Sequence, residues 1–299
     1  MELWTFPNKA DLSATIFPDN KPETVFSVLD SAVWENLPSA LSDYGTTYCM
    51  LTRQPVSYGL MNTLPYLVEL RKDEPFTQVV INKIGTKKGV FLRTEGKTLY
   101  DVFDDLVMLP HVRLPGDVEG WFRFYDPSVL RKFLSFATKE QVSALFGQSV
   151  TEYVYEDEFD ASICSYARPD YLKVPKGARI EFTQEQIDLL DEGQHDYMRL
   201  QIMKETWREM SAQKASGRIH DPRPALGALL DIAEDSGIRK MQPLQNFAML
   251  AVNYGVDFAS HPKVKDYLAV PERSEIKKVR GLETILASLT DANHHGVSS

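Results

Sequence analysis

WFRFYDPSVLRKFLSFATKEQVSALFG, residues 121–147, decides how this chain is read. Alternating aromatics over residues 121–125 predict a strand. Asp126 then offers a helix N-cap, and Pro127 takes the first helical position, where a missing N–H removes no hydrogen bond. Val129, Leu130, Phe133 and Leu134 give that helix one apolar face. Thr138-x-x-Gln141 is a capping box that starts a second helix, which Gly147 closes.

Upstream, the apolar period switches repeatedly between strand and helix. TVFSVL, residues 24–29, reads as a buried strand followed by Asp30, and Val33, Leu37 and Leu41 mark a short helix ending near Gly45. TTYCMLT is a second strand, and PYLVEL after Pro65 is extended or helical. Phe76, Val79, Val80 and Ile84 are helical in spacing, and GVFLRT from Gly89 is another strand. Leu99, Val102, Phe103, Leu106 and Leu109 form a helical stripe with Asp101, Asp104 and Asp105 on its other side, read as a solvated face. A further strand is expected at residues 151–155.

Downstream, EDEFDASICSYARPDYLKVPKGARIEF loses periodicity and gathers Pro169, Pro175 and Gly177, so the connection between two lobes is placed there. Beyond it every pattern is helical. Thr183-x-x-Gln186 is another capping box, followed by a stripe through Ile187, Leu190, Tyr197, Leu200, Met203, Trp207 and Met210. Further helices are expected over residues 225–234, 243–254, 262–268 and 272–289. The fold class is therefore α+β: a mixed α/β N-terminal lobe with a second, all-α helical C-terminal lobe. The expected divisions are an N-terminal extension at 1–21, the α/β lobe at 22–156, a linker at 157–180 and the helical lobe at 181–299.

With 299 residues there is room for two cores, and 43% hydrophobic with 25% charged residues is a globular composition. Lys and Arg total 33 against 42 Asp and Glu, and cutting at Glu181 leaves both parts mildly acidic. Neither part carries the basic stripe that neutralising a phosphate backbone requires, so no nucleic acid and no membrane surface is expected as partner. The start MELWTFPNKADL lacks a charged segment followed by an apolar run, which points to a protein that stays cytoplasmic. Cys49 and Cys164 have no C-x-x-C spacing and read as core thiols.

The usual signatures of chemistry are missing. There is no H-E-x-x-H, no G-x-S-x-G, no G-x-G-x-x-G and no G-x-x-x-x-G-K-[ST], so no metal and no cofactor is expected. GTKKG at residues 85–89 reads as a hairpin-like connection. His261 before Pro262 fits a helix start, and His220 lies in the loop IHDPRP; His294 and His295 stand near the C-terminus. The acidic run at residues 155–160 reads either as a solvated loop or as a docking patch with Tyr155 and Phe159 as anchors.

The first lobe resembles the adaptor domain of the effector-adaptor chaperones of bacterial type VI secretion. The features that carry the resemblance are FSVLD ending in Asp30, the Pro65-Tyr66-Leu67-Val68 segment, and above all Phe122-Arg123-Phe124-Tyr125-Asp126-Pro127 leading into a helix. Gln141 and Phe146-Gly147 follow at similar places. The similarity spans about residues 24–156. It departs from the family at Val102-Phe103-Asp104-Asp105-Leu106, where a His-Leu-Arg-like stretch is usual, and at Gln148, where a Pro is usual.

The resemblance implies a non-enzymatic adaptor that binds a secreted effector protein in the producing cell and loads it onto the VgrG spike. Its partner contacts are expected among Tyr66, Arg123, Tyr125, Tyr155, Phe159 and Trp207. Asp30, Phe122, Phe124, Asp126 and Pro127 are taken as its structural signature. The alternative is a hydrolase whose site is assembled from dispersed His and acidic residues.

Overall fold

Val25, Phe26, Val28 and Leu29 are all buried, so the strand that contains them hides both of its faces. That strand is β1, Thr24–Asp30, and the computed structural model places it inside a six-stranded sheet. The structure describes residues 9–19, 24–83, 89–170, 179–213, 221–270 and 273–295. The chain divides into two units, Met1–Gln194 and His195–Ser299.

In the first unit the strands after β1 are β2 (Tyr48–Met50), β3 (Pro65–Arg71), β4 (Gly89–Thr94), β5 (His111–Leu114), β6 (Val118–Trp121), β7 (Val150–Asp157) and β8 (Ser162–Ala167). The sheet order is β2-β3-β1-β4-β7-β8, and every pairing in it is antiparallel. β5 and β6 form a separate hairpin. Among the described residues they are accompanied by the helices α1 (Lys9–Ile16), α2 (Leu37–Asp43), α3 (Pro75–Asn82), α4 (Leu99–Leu106), α5 (Pro127–Phe136) and α6 (Lys139–Phe146).

Alternate side chains of the strands go to opposite layers, as the period of two demands. Phe26, Val28, Leu67, Leu92 and Tyr153 join Val102 of α4, Phe133 of α5 and Leu145 of α6 in one core. Val25, Leu29, Val68, Phe91 and Val154 join Ile16 of α1, Leu41 of α2 and Phe76 of α3 in another. An antiparallel sheet covered on both faces explains why TVFSVL and PYLVEL show no polar alternation. Gly89 opens β4 against β1 so closely that a Cβ there would lie 2.1 Å from the Val28 carbonyl oxygen.

One buried charge spans this sheet. Arg93 on β4 pairs with Glu152 on β7, and its guanidinium also donates to the carbonyls of Thr15 and Ile16 at the end of α1. A cation at a helix C-terminus meets the negative end of the backbone dipoles.

Helix α7, Gln184–Ala212, crosses the division between the units. Its Ile187 and Leu190 pack on the first unit's core, whereas Ile202 and Met210 belong to the second unit's core. The helical stripe read as one lobe thus serves two cores, and the division falls at Gln194, beyond the expected 157–180 connection. That expected connection contains β8, an edge strand paired with β7 in register Tyr155↔Cys164. Its alternating exposure and its serines hide the strand from a search for apolar runs.

The second unit adds α8 (Pro222–Asp235), α9 (Met241–Tyr254), α10 (Pro262–Leu268) and α11 (Glu275–His295), with a 3₁₀ turn at Val256–Ser260. Leu226, Leu230, Phe247, Ala251, Val264, Leu282 and Leu286 form its core. The described part of this unit is all helical, and the first is mixed, which makes the fold class α+β followed by all-α. The turn from α8 to α9 is held by α11. Glu275 Oε2 accepts from Arg239 N at 3.0 Å and Lys240 N at 2.8 Å, while Lys278 Nζ donates to Ser236 O at 2.5 Å. A carboxylate thus meets the start of α9 and an ammonium meets the end of α8, each matching the local dipole.

Candidate functional site

The expected strand over residues 121–125 is not formed. β6 stops at Trp121, and Asp126 N donates to Arg123 O at 2.9 Å, turning the chain into α5. Phe124 and Tyr125, neighbours in sequence, are both buried in this turn. Phe122 packs against Phe133 and Phe182 with ring centroids 4.9 and 5.3 Å apart.

Within Phe122-to-Pro127, Arg123 is the side chain that keeps accessible area. Its Nη2 donates to Asp30 Oδ2 at 2.6 Å and lies 3.6 Å from Asp126 Oδ2. The Asp30 side chain is 2% exposed and that of Arg123 42%. Asp30 Oδ1 also accepts from Ala32 N at 2.9 Å, so both of its oxygens are engaged. Burial works to lower the Arg123 pKa, and the Asp30 and Asp126 carboxylates outweigh it and hold it above its ordinary value.

Asp126 caps α5 as expected. Its Oδ1 accepts from Ser128 N at 3.0 Å and from Ser128 Oγ at 2.7 Å, with Pro127 buried at the first helical position. The signature is thus a clasp: a guanidinium at the surface joins the end of a central strand to the start of a helix. It carries one cation between two carboxylates.

The side chains expected as partner contacts separate into two groups. Tyr66 is buried in β3 and donates its hydroxyl to Met61 O at 3.0 Å. Tyr125 is buried and its oxygen accepts from Trp121 Nε1 at 3.0 Å. Tyr155 is buried in β7, and burial first, then Cys164 and Asp157, pushes its phenol up to about 12. These three rings are core, and their hydroxyls are spent or desolvated, so they offer no surface for another chain. Arg123, Phe159 and Trp207 keep accessible area; Arg131 sits 4.6 Å over the Phe159 ring, and Trp207 leans on the second unit's core.

Most of the acidic run is buried in and after β7, while Phe159 and Asp160 keep accessible area in the turn that follows. Tyr155, Glu156 and Asp157 finish β7, and Glu156, Asp157 and Glu158 are all buried. Asp157 Oδ2 accepts from Arg131 Nε at 2.7 Å and Oδ1 from Phe159 N at 3.0 Å. Sequence alone does not show the arginine that α5 brings to this charge run.

Asp101, Asp104 and Asp105 stay at the surface side of α4, each with a partner. Asp101 completes a capping box with Thr98, Asp104 pairs with Arg53 at 2.7 Å, and Asp105 Oδ2 accepts from Gln148 N at 2.9 Å. Gly147 precedes with φ +54, and a Cβ there would lie 2.6 Å from Asp105 Cβ.

His261 caps α10, its Nδ1 accepting from Lys263 N at 3.3 Å, and His220 lies outside the described residues, as do residues 85–88 of GTKKG. Cys49 and Cys164 are half-buried free thiols on β2 and β8, and burial pushes the Cys49 thiol up to about 11. Among the described residues no three His, Cys, Asp or Glu side chains gather as a metal site. No described helix is long and apolar enough to cross a membrane.

Sequence reasoning missed the hairpin of β5 and β6. Its outward face pairs His111 with Trp121, rings edge-on at 5.1 Å, and Trp121 is among the exposed large apolar side chains. The signal available was the Leu114-to-Val118 turn containing Pro115 and Gly116.

Residues 25–144 match the family model described as Domain of unknown function (DUF4123), a domain family known in type VI secretion effector adaptors. That segment runs from β1 through most of α6 and contains the whole Asp30, Arg123 and Asp126 clasp. No curated protein matches the chain, and no solved structure does.

Proposed function

We propose that this chain is a non-enzymatic adaptor that binds a type VI secretion effector in the cytoplasm of the producing cell and loads it onto the VgrG spike. The observation that carries the reading is the DUF4123 match over residues 25–144, which covers the segment bearing the Phe122-to-Pro127 signature. The architecture suits the task. Two units with separate cores supply two separable recognition surfaces, and such surfaces draw their affinity from a few aromatic and arginine anchors. Trp121 and Arg123 lie together at the surface of the first unit and are of that type.

The test is titration of the full chain against the spike protein and the toxin encoded beside its gene. Saturable binding to both, with the toxin unchanged chemically, is expected. Failure to bind either one overturns the reading, and so does turnover of substrate by the chain alone.

A further inference from the structure

Among the described large apolar side chains of the second unit, Met241 and Ile276 are the most exposed, at 57% each. Met241 follows Arg239 and Lys240, whose backbone N–H groups bond the carboxylate of Glu275, the residue before Ile276, so both apolar residues adjoin the same helix junction. Lys277 follows Ile276, and Arg280 lies one turn further along α11, on the same side as Ile276. Arg239, Lys240, Lys277 and Arg280 are all exposed, and none makes an ion pair among the described residues. Two carboxylates of the described residues accompany them on α11: Glu275, whose Oε2 is turned onto the two N–H groups, and the exposed Glu283, three residues beyond Arg280. The Lys277 carbonyl accepts from Tyr267 Oη at 3.1 Å, which fixes this turn of α11 against α10.

We infer that this face, where the start of α9 meets the first turns of α11, is a docking surface for an acidic, amphipathic segment of a partner protein. The occupant is chosen by charge and apolarity together. Four exposed cations that make no ion pair among the described residues outnumber the two carboxylates beside them and call for a ligand that supplies more, and two exposed apolar side chains call for one that also buries hydrocarbon. A long polyanion meets a chain with a formal net charge of -9, whereas a short segment feels mainly the charges within a Debye length of about 8 Å. The face is preorganised, because Glu275 and Lys278 pin α11 to both ends of the α8–α9 turn. This inference concerns the chemistry of the ligand and stands whether or not the adaptor reading does.

The test is fluorescence anisotropy of the full chain with a labelled synthetic helical peptide bearing Leu at i, i+3, i+4 spacing and Glu elsewhere. Saturable binding is expected. It should weaken by about tenfold or more in the double variant Lys277→Glu, Arg280→Glu, and weaken again in Ile276→Ser with the salt dependence kept. Arg208→Glu, on α7, should leave it unchanged, and circular dichroism should show every variant folded. The same peptide with Lys in place of Glu should not bind.

The inference is overturned if the Glu–Leu peptide fails to bind, or if Arg208→Glu weakens it as much as the double variant. It is overturned equally if phosphatidylglycerol vesicles or single-stranded DNA bind this face more tightly. A wild-type dimer in sedimentation that Lys277→Glu, Arg280→Glu dissolves would make the occupant a second copy of the chain, and would overturn it too.

Discussion

In the first unit Arg53, Arg71, Arg93, Arg113, Arg123, Arg131 and Arg179 each face a carboxylate, whereas Arg239, Lys240, Lys277 and Arg280 in the second face none among the described residues. The formal charges run the other way. Met1–Gln194 holds 29 acidic and 19 basic residues, and His195–Ser299 holds 13 and 14. The first unit therefore carries the whole acidic surplus although seven of its described arginines face a carboxylate, and the second is near neutral with cations left outside. Arg199, held by Asp231 and Glu234, shows that the second unit also uses arginine internally. Net charge alone does not say which cations are available to a partner; their pairing does.

The comparison breaks most visibly at Arg93. Removing it takes the guanidinium away from the buried Glu152 carboxylate and from the Thr15 and Ile16 carbonyls, so Arg93→Ala should cost about 3–5 kcal/mol in urea denaturation of the full chain. Arg93→Met with Glu152→Leu should recover most of that loss, since the apolar pair needs no compensation. A cost under about 1 kcal/mol for Arg93→Ala would mean that the pair is not doing structural work there.

Alkaline pH should act next. Tyr155 is held at about 12 against an ordinary 10.0 because its phenolate is disfavoured by burial. Its folded pKa is the higher one, so this stability is complete below pH 10.0 and disappears as pH rises to about 12. The loss should be about 2 kcal/mol, and Tyr155→Phe should flatten that part of the stability curve.

The clasp comes third. Arg123→Ala removes a half-exposed guanidinium from a buried carboxylate and should cost about 1–3 kcal/mol. Arg123→Lys should restore part of it. Asp126→Ala should cost about 0.5–2 kcal/mol through the lost cap, with Asp126→Asn or Asp126→Ser mild. If all three Asp126 variants kept their stability and lost partner binding equally, the residue would be a contact.

The smallest effect is expected at the outer cations of the second unit. Lys277→Glu and Arg280→Glu touch no ion pair and should change stability by no more than about 0.5 kcal/mol. A larger change would sharpen the contrast between the units by showing that these charges, too, serve the fold.

Much of this could be read from residue order. Asp126 and Pro127, Thr138 with Gln141, and Thr183 with Gln186 announce helix starts by local hydrogen bonds, and all three stand where expected. Helix α10 begins and ends as its pattern predicts. What eluded the sequence depends on contacts between distant residues. Burial of Glu156 to Glu158 accompanies an arginine from α5, β8 is an edge strand without an apolar run, and the stripe of α7 changes cores midway without any break in period. The burial of Tyr66, Tyr125 and Tyr155 was hidden for a related reason: an aromatic suited to anchoring a partner is equally suited to anchoring its own core.

Gln141 and Gln186 each close a capping box, and each also donates its amide to the other's side-chain oxygen at 2.9 Å. The starts of α6 and α7 are thus written into a single neutral circuit. Helix nucleation is the costly step, and here the two nuclei share their bonds. The first turn of α7 should therefore not fray by itself: its amide hydrogens should exchange at the pace of α6, and salt should leave that pace unaltered.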